Sequence, residues 1–261
     1  MTWIYAVPSW VLAPVAIAAF CAIAAIGLSL ARRHLVRNET ITHNDVAGPI
    51  LATIGTVLAV MLSFMVVSVW QQYETSANTV EREASAASDI HHLADLLTAP
   101  TRNRLKAEVD RYILLVINDE FPAMRHGRSS TDASYAAYRI YGIVAAFSPA
   151  SSAQTQLQAQ ALELAHTLTD ARRSRLHDNA TGIPPILWAA MLFMGALTVG
   201  FCYFFRIDSA RAHLWMVVAM TSVIAVTFVL IAELDYPYRG DTGIGPQAFV
   251  AAYARIHNLE R

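Results

Sequence analysis

Four stretches of this chain, 7–30, 46–70, 183–205 and 213–232, run without a single Asp, Glu, Lys or Arg. A helix crosses the hydrocarbon layer of a bilayer with about 20 apolar residues, so each stretch is long enough to span it. In lipid the backbone must satisfy its own hydrogen bonds, which makes these runs helices. The composition agrees: 15% of the residues are charged, where a soluble domain carries about a quarter. A formal net charge of −1 gives no basis for a nucleic-acid partner. The partner the sequence does imply is the lipid bilayer.

The first run is not a cleaved signal peptide, because no basic stretch precedes it, it is long, and Arg32 and Arg33 follow it. Ala18, Ala22 and Ala25 recur on one side of it, a pattern that lets helices approach closely. Cys21 and Cys202 lie inside apolar runs and form neither a disulfide framework nor a zinc pattern. They read as small packing residues.

The second run starts after Asn44 and Asp45, which suit a helix cap. No Gly or Pro occurs between Gly55 and Pro100, and apolar residues continue at helical spacing through Val80, Ala84, Ala87, Ile90, Ala94 and Leu97. One helix is therefore predicted to span the membrane and project beyond it. At about 1.5 Å per residue it is on the order of 70 Å long.

Residues 71–182 are the one sizeable polar segment. An amphipathic helix is predicted over 101–117, with Leu105, Val109, Tyr112, Ile113 and Val116 on one face, ended by Asp119-Glu120-Phe121-Pro122. A shorter helix follows over 130–147, carrying Tyr135, Tyr138 and Tyr141. A long one over 151–177 has the stripe Leu157, Ala161, Leu164, Leu168, Ala171. Gly182, Pro184 and Pro185 make a kinked entry into the third span. The helices at 71–97 and 151–177 should pack antiparallel, continuous with the second and third spans. After the fourth span, 233–245 reads as a turn-rich loop and 246–259 as a helix with Phe249, Val250, Tyr253 and Ile256 on its apolar side. The expected organisation is a transmembrane hairpin over 1–70, a helical soluble domain over 71–182, a second hairpin over 183–232 and a C-terminal loop and helix over 233–261. The fold class is all-α.

Motifs for chemistry are missing. There is no phosphate loop, dinucleotide fingerprint, nucleophile elbow or metalloprotease pattern, so no enzyme, cofactor or metal is expected. His91-His92 are helix neighbours pointing about 100° apart, a poor chelate, and read as a solvated surface. Asp119-Glu120 either holds a cation or ends a helix. Arg172, Arg173 and Arg175 read as a charged surface near a helix end, with attraction for anions or lipid headgroups as the alternative. Candidate soluble-side ion or structural contacts are Glu83, Glu120, Asp235 and Arg239. The spans hold no carboxylate or lysine for a proton pump and no midpoint breaks like those of many transporters. What remains is a passive pore, or a scaffold or sensor whose soluble helices bind a partner.

Several stretches together carry a resemblance: Leu62-Ser63-Phe64, Trp70 and Tyr73; Glu83-Ala84; Tyr112; Glu120-Phe121-Pro122; residues 173–176; residues 184–188; and residues 234–240, Leu-Asp-Tyr-Pro-Tyr-Arg-Gly. The set resembles the mainly bacterial bestrophin-like family and covers nearly the whole chain. That resemblance implies a multi-pass protein of the bacterial inner membrane with four spans and a helical soluble domain. By analogy with bestrophins it also implies a homo-oligomeric ion channel, a pentamer, whose second span lines a hydrophobic neck. It places Phe64 at a constriction. Val60, Phe64 and Ser68, four residues apart, share a helix face and are the expected pore lining for a permeant ion. The chain departs from bestrophins in being shorter after the fourth span and in having Ser68, not phenylalanine, one turn after Phe64.

Orientation has two indicators. Arg32, Arg33 and Arg37, then Arg206 and Arg211, lie in short loops, and short arginine-rich loops stay cytoplasmic. That places both termini and residues 71–182 on the non-cytoplasmic side. The resemblance implies the reverse, since bestrophin soluble domains are cytosolic.

Overall fold

The computed structural model describes residues 8–34 and 44–259. Of the described residues 84% are helical, and none is in a strand. Arg37, the first residue of the first apolar run and the chain end beyond 259 lie outside them. The described residues divide into two compact units, one of residues 72–181 and 236–259, the other of 8–34, 44–71 and 182–235.

The second of these is a membrane unit. It contains α1 (Ser9–His34), the first part of α2 (Asn44–Leu93), α7 (Pro185–Cys202) and α8 (Ala210–Leu234). All four helices are long and apolar enough to cross a membrane, making this a multi-pass membrane protein. The third helix is shorter than its apolar run because Pro185 opens it and the chain turns out of helix after Cys202. α1 packs on α8 and α7, but not through the predicted alanine stripe. Ala18 and Ala22 are exposed, and the contact runs through Cys21, Ala24, Gly27 and Leu28. Gly27 is required there: a Cβ would meet the Tyr203 hydroxyl at 2.7 Å. That hydroxyl instead donates to the Ala24 carbonyl at 3.0 Å. Cys21 and Cys202 are both free thiols.

The other unit is a helical bundle. Beyond residue 71, α2 runs on to Leu93 and tightens into a 3₁₀ turn, Ala94–Leu96. Then come α3 (Ala99–Leu115), a π-helical turn (Val116–Glu120), α4 (Phe121–Met124), α5 (Thr131–Ala145), α6 (Ser152–Ala180) and, after the loop from Tyr236, α9 (Gln247–Leu259). Ser130 and Ser151 accept N–H bonds from Ala133 and Gln154, capping α5 and α6. The core draws on all the long helices, among them Val80, Ala87, Ile90, Leu105, Tyr112, Ile113, Ile140, Ala161, Leu168, Phe249 and Ile256. α9 buries Phe249, Ala252 and Ile256, while Val250 is half exposed, a correction to its predicted apolar side.

α2 and α6 run antiparallel here: Ser76 donates to Asp178 at 2.9 Å, and Arg175 donates to Glu83 further up α2 and further back along α6. The continuity expected on the α6 side is absent. α6 ends at Ala180, and four residues bearing Gly182 and Pro184 precede α7. Leu164 sits half-buried against the core, one turn from fully buried Leu168. Leu164→Asp is expected to lower the stability of the purified protein by roughly 1–3 kcal/mol, since a charge would enter an apolar seam without a partner. A melting curve matching the parent protein would mean that this seam is open to water.

Candidate functional site

The bundle closes on charges. Arg175 on α6, fully buried, donates from Nε to Glu83 Oε2 at 2.6 Å and from Nη2 to Glu83 Oε1 at 2.8 Å and Glu120 Oε2 at 2.7 Å. Arg172, one turn earlier, bonds Glu120 with Nε and Nη2, and donates to Ser134 Oγ at 2.8 Å and the Ser130 carbonyl at 3.2 Å. Tyr112 donates to Glu83 Oε1. Phe121 and Phe249 face the Arg175 guanidinium with ring centroids at 5.2 and 5.9 Å. Two carboxylates therefore meet two guanidiniums in a nearly dry interior, with no net charge left over. Burial alone would raise the Glu120 pKa, but Arg175 and Arg172 overcome that and hold it below the ordinary carboxylate range. Burial and the Glu83 charge push the Tyr112 phenol well up, so it stays a donor.

The π turn puts Glu120 in place. The Phe121 N–H reaches the Val116 carbonyl, five residues back, and Pro122 has no N–H to continue an α ladder. Glu120 thus ends a regular helix without leaving the fold: the widened turn aims it inward, where it is fully buried. Sequence reasoning missed this, as it missed Arg172 and Arg175. Those two are not a charged surface, and only Arg173 is exposed as expected. His91 is likewise buried, not solvated, with Asp110 within 3.9 Å.

The loop residues have their own partners. In the bundle, Arg239 donates to the Asn179 carbonyl at 2.8 Å and lies 3.9 Å over the Tyr236 ring. Gly127, at φ +70°, is needed beside it, since a Cβ would meet Arg239 Nη2 at 2.9 Å. In the membrane unit, Asp235 accepts from the Ile183 N–H at 2.5 Å and from Trp188 Nε1 at 3.3 Å, tying the entry of α7 to the end of α8.

The spanning part of α2 has one packed face and one open face. Leu58, Leu62, Met65 and Val69 pack with Met191, Ile224, Phe228 and Ile231. The opposite face presents Val60, 51% exposed, and Phe64, 72% exposed, with Thr53, Thr56, Ser63 and Ser68 also exposed. Thr53, Thr56 and Ser63 return their hydroxyl protons to carbonyls four residues back, leaving oxygen lone pairs facing outward.

A family model described as the bestrophin-like domain matches residues 18–249. The chain belongs to the bestrophin-like family. No curated protein matches it. Among solved structures, a variant of a bacterial bestrophin homologue from Klebsiella pneumoniae is similar at 12% identity, over 94% of this chain and 98% of that one, with a TM-score of 0.71. The same Klebsiella protein solved by Zn-SAD phasing gives 0.70 at 12% identity, over 93% and 98%. A crystal structure described only as a membrane protein also gives 0.70, at 13% identity over 92% and 96%. At these identities the likeness is one of fold.

Within this bestrophin-like fold the scattered sequence motifs become neighbours. Glu83, Tyr112, Glu120, Phe121 and Arg175 share one cluster, and Tyr238 bonds the Ser76 carbonyl beside it at 3.1 Å. They meet in the buried interior of this unit. A signal for them was available: Leu168, Arg172 and Arg175 follow the same stripe as Ala161 and Ala165, and Glu83 stands on the stripe of Val80, Ala84 and Ala87. Charges on a buried stripe call for partners of opposite sign.

Proposed function

We propose that the protein is a homo-oligomeric ion channel of the bestrophin type, a pentamer around an axis lined by the open face of α2. The observation that carries this is the make-up of that face. Four exposed hydroxyl residues lie on it, Thr53, Thr56, Ser63 and Ser68, whereas the surfaces of α1, α7 and α8 open to lipid are dominated by residues such as Ile23, Ile26, Phe193, Trp215 and Val223. Lipid rewards no hydroxyl, but a water-filled axis does. Val60 and Phe64 form the apolar rings in this lining, and Ser68 stands one turn beyond Phe64. Glu83, Glu120 and Arg239 are structural contacts of the soluble unit, and Asp235 is one of the membrane unit.

Detergent-purified protein is expected to run as a pentamer by size-exclusion chromatography with light scattering, and to pass ions once in liposomes. A monomer rules out the axial pore and leaves a scaffold or sensor whose soluble helices bind a partner. A pentamer that stays silent in liposomes also removes conduction.

In a bacterial inner membrane the arginine-bearing short loops lie in the cytoplasm, with the soluble unit outside. A single cysteine reports this. Ser76 is buried and unsuited, but Ser129 is exposed. In a background lacking Cys21 and Cys202, Ser129→Cys is expected to react with an impermeant maleimide in intact spheroplasts. Reaction only after lysis reverses the orientation.

A further inference from the structure

Inside the soluble unit α2 again has a packed side and an open side. It buries Val80, Glu83, Ala84, Ala87 and Ile90 and leaves Asn78, Glu81, Arg82 and Ser85 exposed. Two opposite charges thus stand next to each other in solvent, and neither takes part in an ion pair among the described residues. Their surroundings on the helix explain why. A helix forms its own ion pairs between positions three and four apart. Those positions hold Ala77, Asn78, Ala84 and Ser85 for Glu81, and Asn78, Thr79, Ser85 and Ala86 for Arg82, with no charge among them. Nor do the two pair with each other, because consecutive residues of a helix point about 100° apart.

That divergence is what a ring requires. Each copy in a closed ring meets one neighbour with one edge and the other neighbour with a different edge. In a fivefold ring the directions to the two neighbours are about 108° apart, the interior angle of a pentagon. Asn78 and Ser85 stand between the two charges on the helix surface, each three residues from one and four from the other. A helix that turns Asn78 and Ser85 to the axis therefore sends Glu81 toward one neighbour and Arg82 toward the other. The two lie at nearly the same height, since consecutive residues differ by about 1.5 Å along the helix. We propose that this face is an interface between copies of the chain, in which Glu81 of each copy pairs with Arg82 of the next and five such pairs close a ring. Charge selects the occupant: an acid on one edge and a base on the other make the surface complementary to a second copy related by rotation. The contact rests on the pentameric reading above and adds to it a pairing in the soluble unit.

Disulfide cross-linking of the full-length protein tests it. In the background lacking Cys21 and Cys202, the chain carries Glu81→Cys, Arg82→Cys or both. Consecutive cysteines on a helix point apart and do not bridge each other, so any bond joins two copies. The double variant, oxidised in detergent and run without reductant, is expected to give a ladder reaching five chains, and each single variant to run as one chain. Charge reversal supplies a second measurement. Glu81→Arg places two cations at every contact and is expected to lower the share of pentamer in light scattering, more at low salt than at high. Adding Arg82→Glu restores it. Both side chains are exposed, so neither change opens the core. A double-cysteine variant that is pentameric by light scattering, yet cross-links no more than the single variants, overturns the contact and leaves the channel reading standing. A reversed pair no more pentameric than Glu81→Arg alone does the same. A monomeric parent protein overturns both.

Discussion

Arg175→Ala is expected to leave the soluble unit unable to hold its fold at ordinary temperature. The side chain is fully buried and donates to both Glu83 and Glu120. Removing it leaves Glu83 with only the Tyr112 hydroxyl among the contacts described above and takes from Glu120 half of its guanidinium pairing. Breaking a buried pair from one side costs about 3–5 kcal/mol, because the remaining charge stays in a dry interior. A whole domain has about 5–15 kcal/mol to lose. Circular dichroism melts of the purified variant measure the loss, with Arg173→Ala as control. Arg173 is 75% exposed, paired with Asp170 on the same helix, and its removal should shift stability by no more than about 0.5 kcal/mol. Equal melts for the two variants would mean that the network contributes little.

The same network fixes a pH dependence. The Glu120 pKa is depressed in the folded protein, since the pull of Arg175 and Arg172 outweighs burial. A group shifted this way adds stability above its unfolded pKa and loses it as pH falls through the folded value. The contribution is therefore whole at neutral pH and is lost only below the ordinary carboxylate range.

How much of this was legible in the sequence depended on how far apart the interacting residues lie. The four spans, the unbroken α2 and the helices of the soluble unit follow from local pattern: apolar length, helical spacing, and the lack of Gly or Pro between Gly55 and Pro100. Contacts at long range were not legible. Arg175 and Glu83 are 92 positions apart, and Arg172 and Glu120 are 52 apart, so although the apolar stripes of their helices mark Arg172, Arg175 and Glu83 as buried, nothing local says which charge pairs with which. Glu120 looked like part of a helix stop because Pro122 follows it, while the π turn that buries it leaves no mark in a periodicity of 3.6. The alanine stripe of α1 misled because three small residues on one side say that close approach is possible, not which side is used. Here Ala24 and Gly27 supply it instead. The face of α2 is a further case: the proposed lining, shared among copies, would leave its residues exposed in one chain, as Val60 and Phe64 are.

Phe64→Ala is accordingly the substitution with the largest expected effect on conduction. Val60 and Phe64 stand one turn apart on the open face, about 6 Å along the axis, so five copies would stack two apolar rings. Below a certain width such rings exclude water and close the path without any moving part. In the proposed pore the phenylalanine ring, the larger of the two side chains, would reach furthest inward. Trimming it to a methyl would widen the proposed constriction and lower the barrier to wetting, and Ser68 beyond it would offer oxygen to a permeant ion. The expected result in liposomes is a severalfold rise in conductance or open probability, with a smaller rise for Val60→Ala. Stability should hold, because Phe64 is 72% exposed and its removal leaves no cavity within the protomer. Phe193 on α7, 66% exposed, is the matched control: an aromatic of equal size exposed on another spanning helix. Unchanged currents in Phe64→Ala beside altered currents in Phe193→Ala would move the conduction path from α2 to α7.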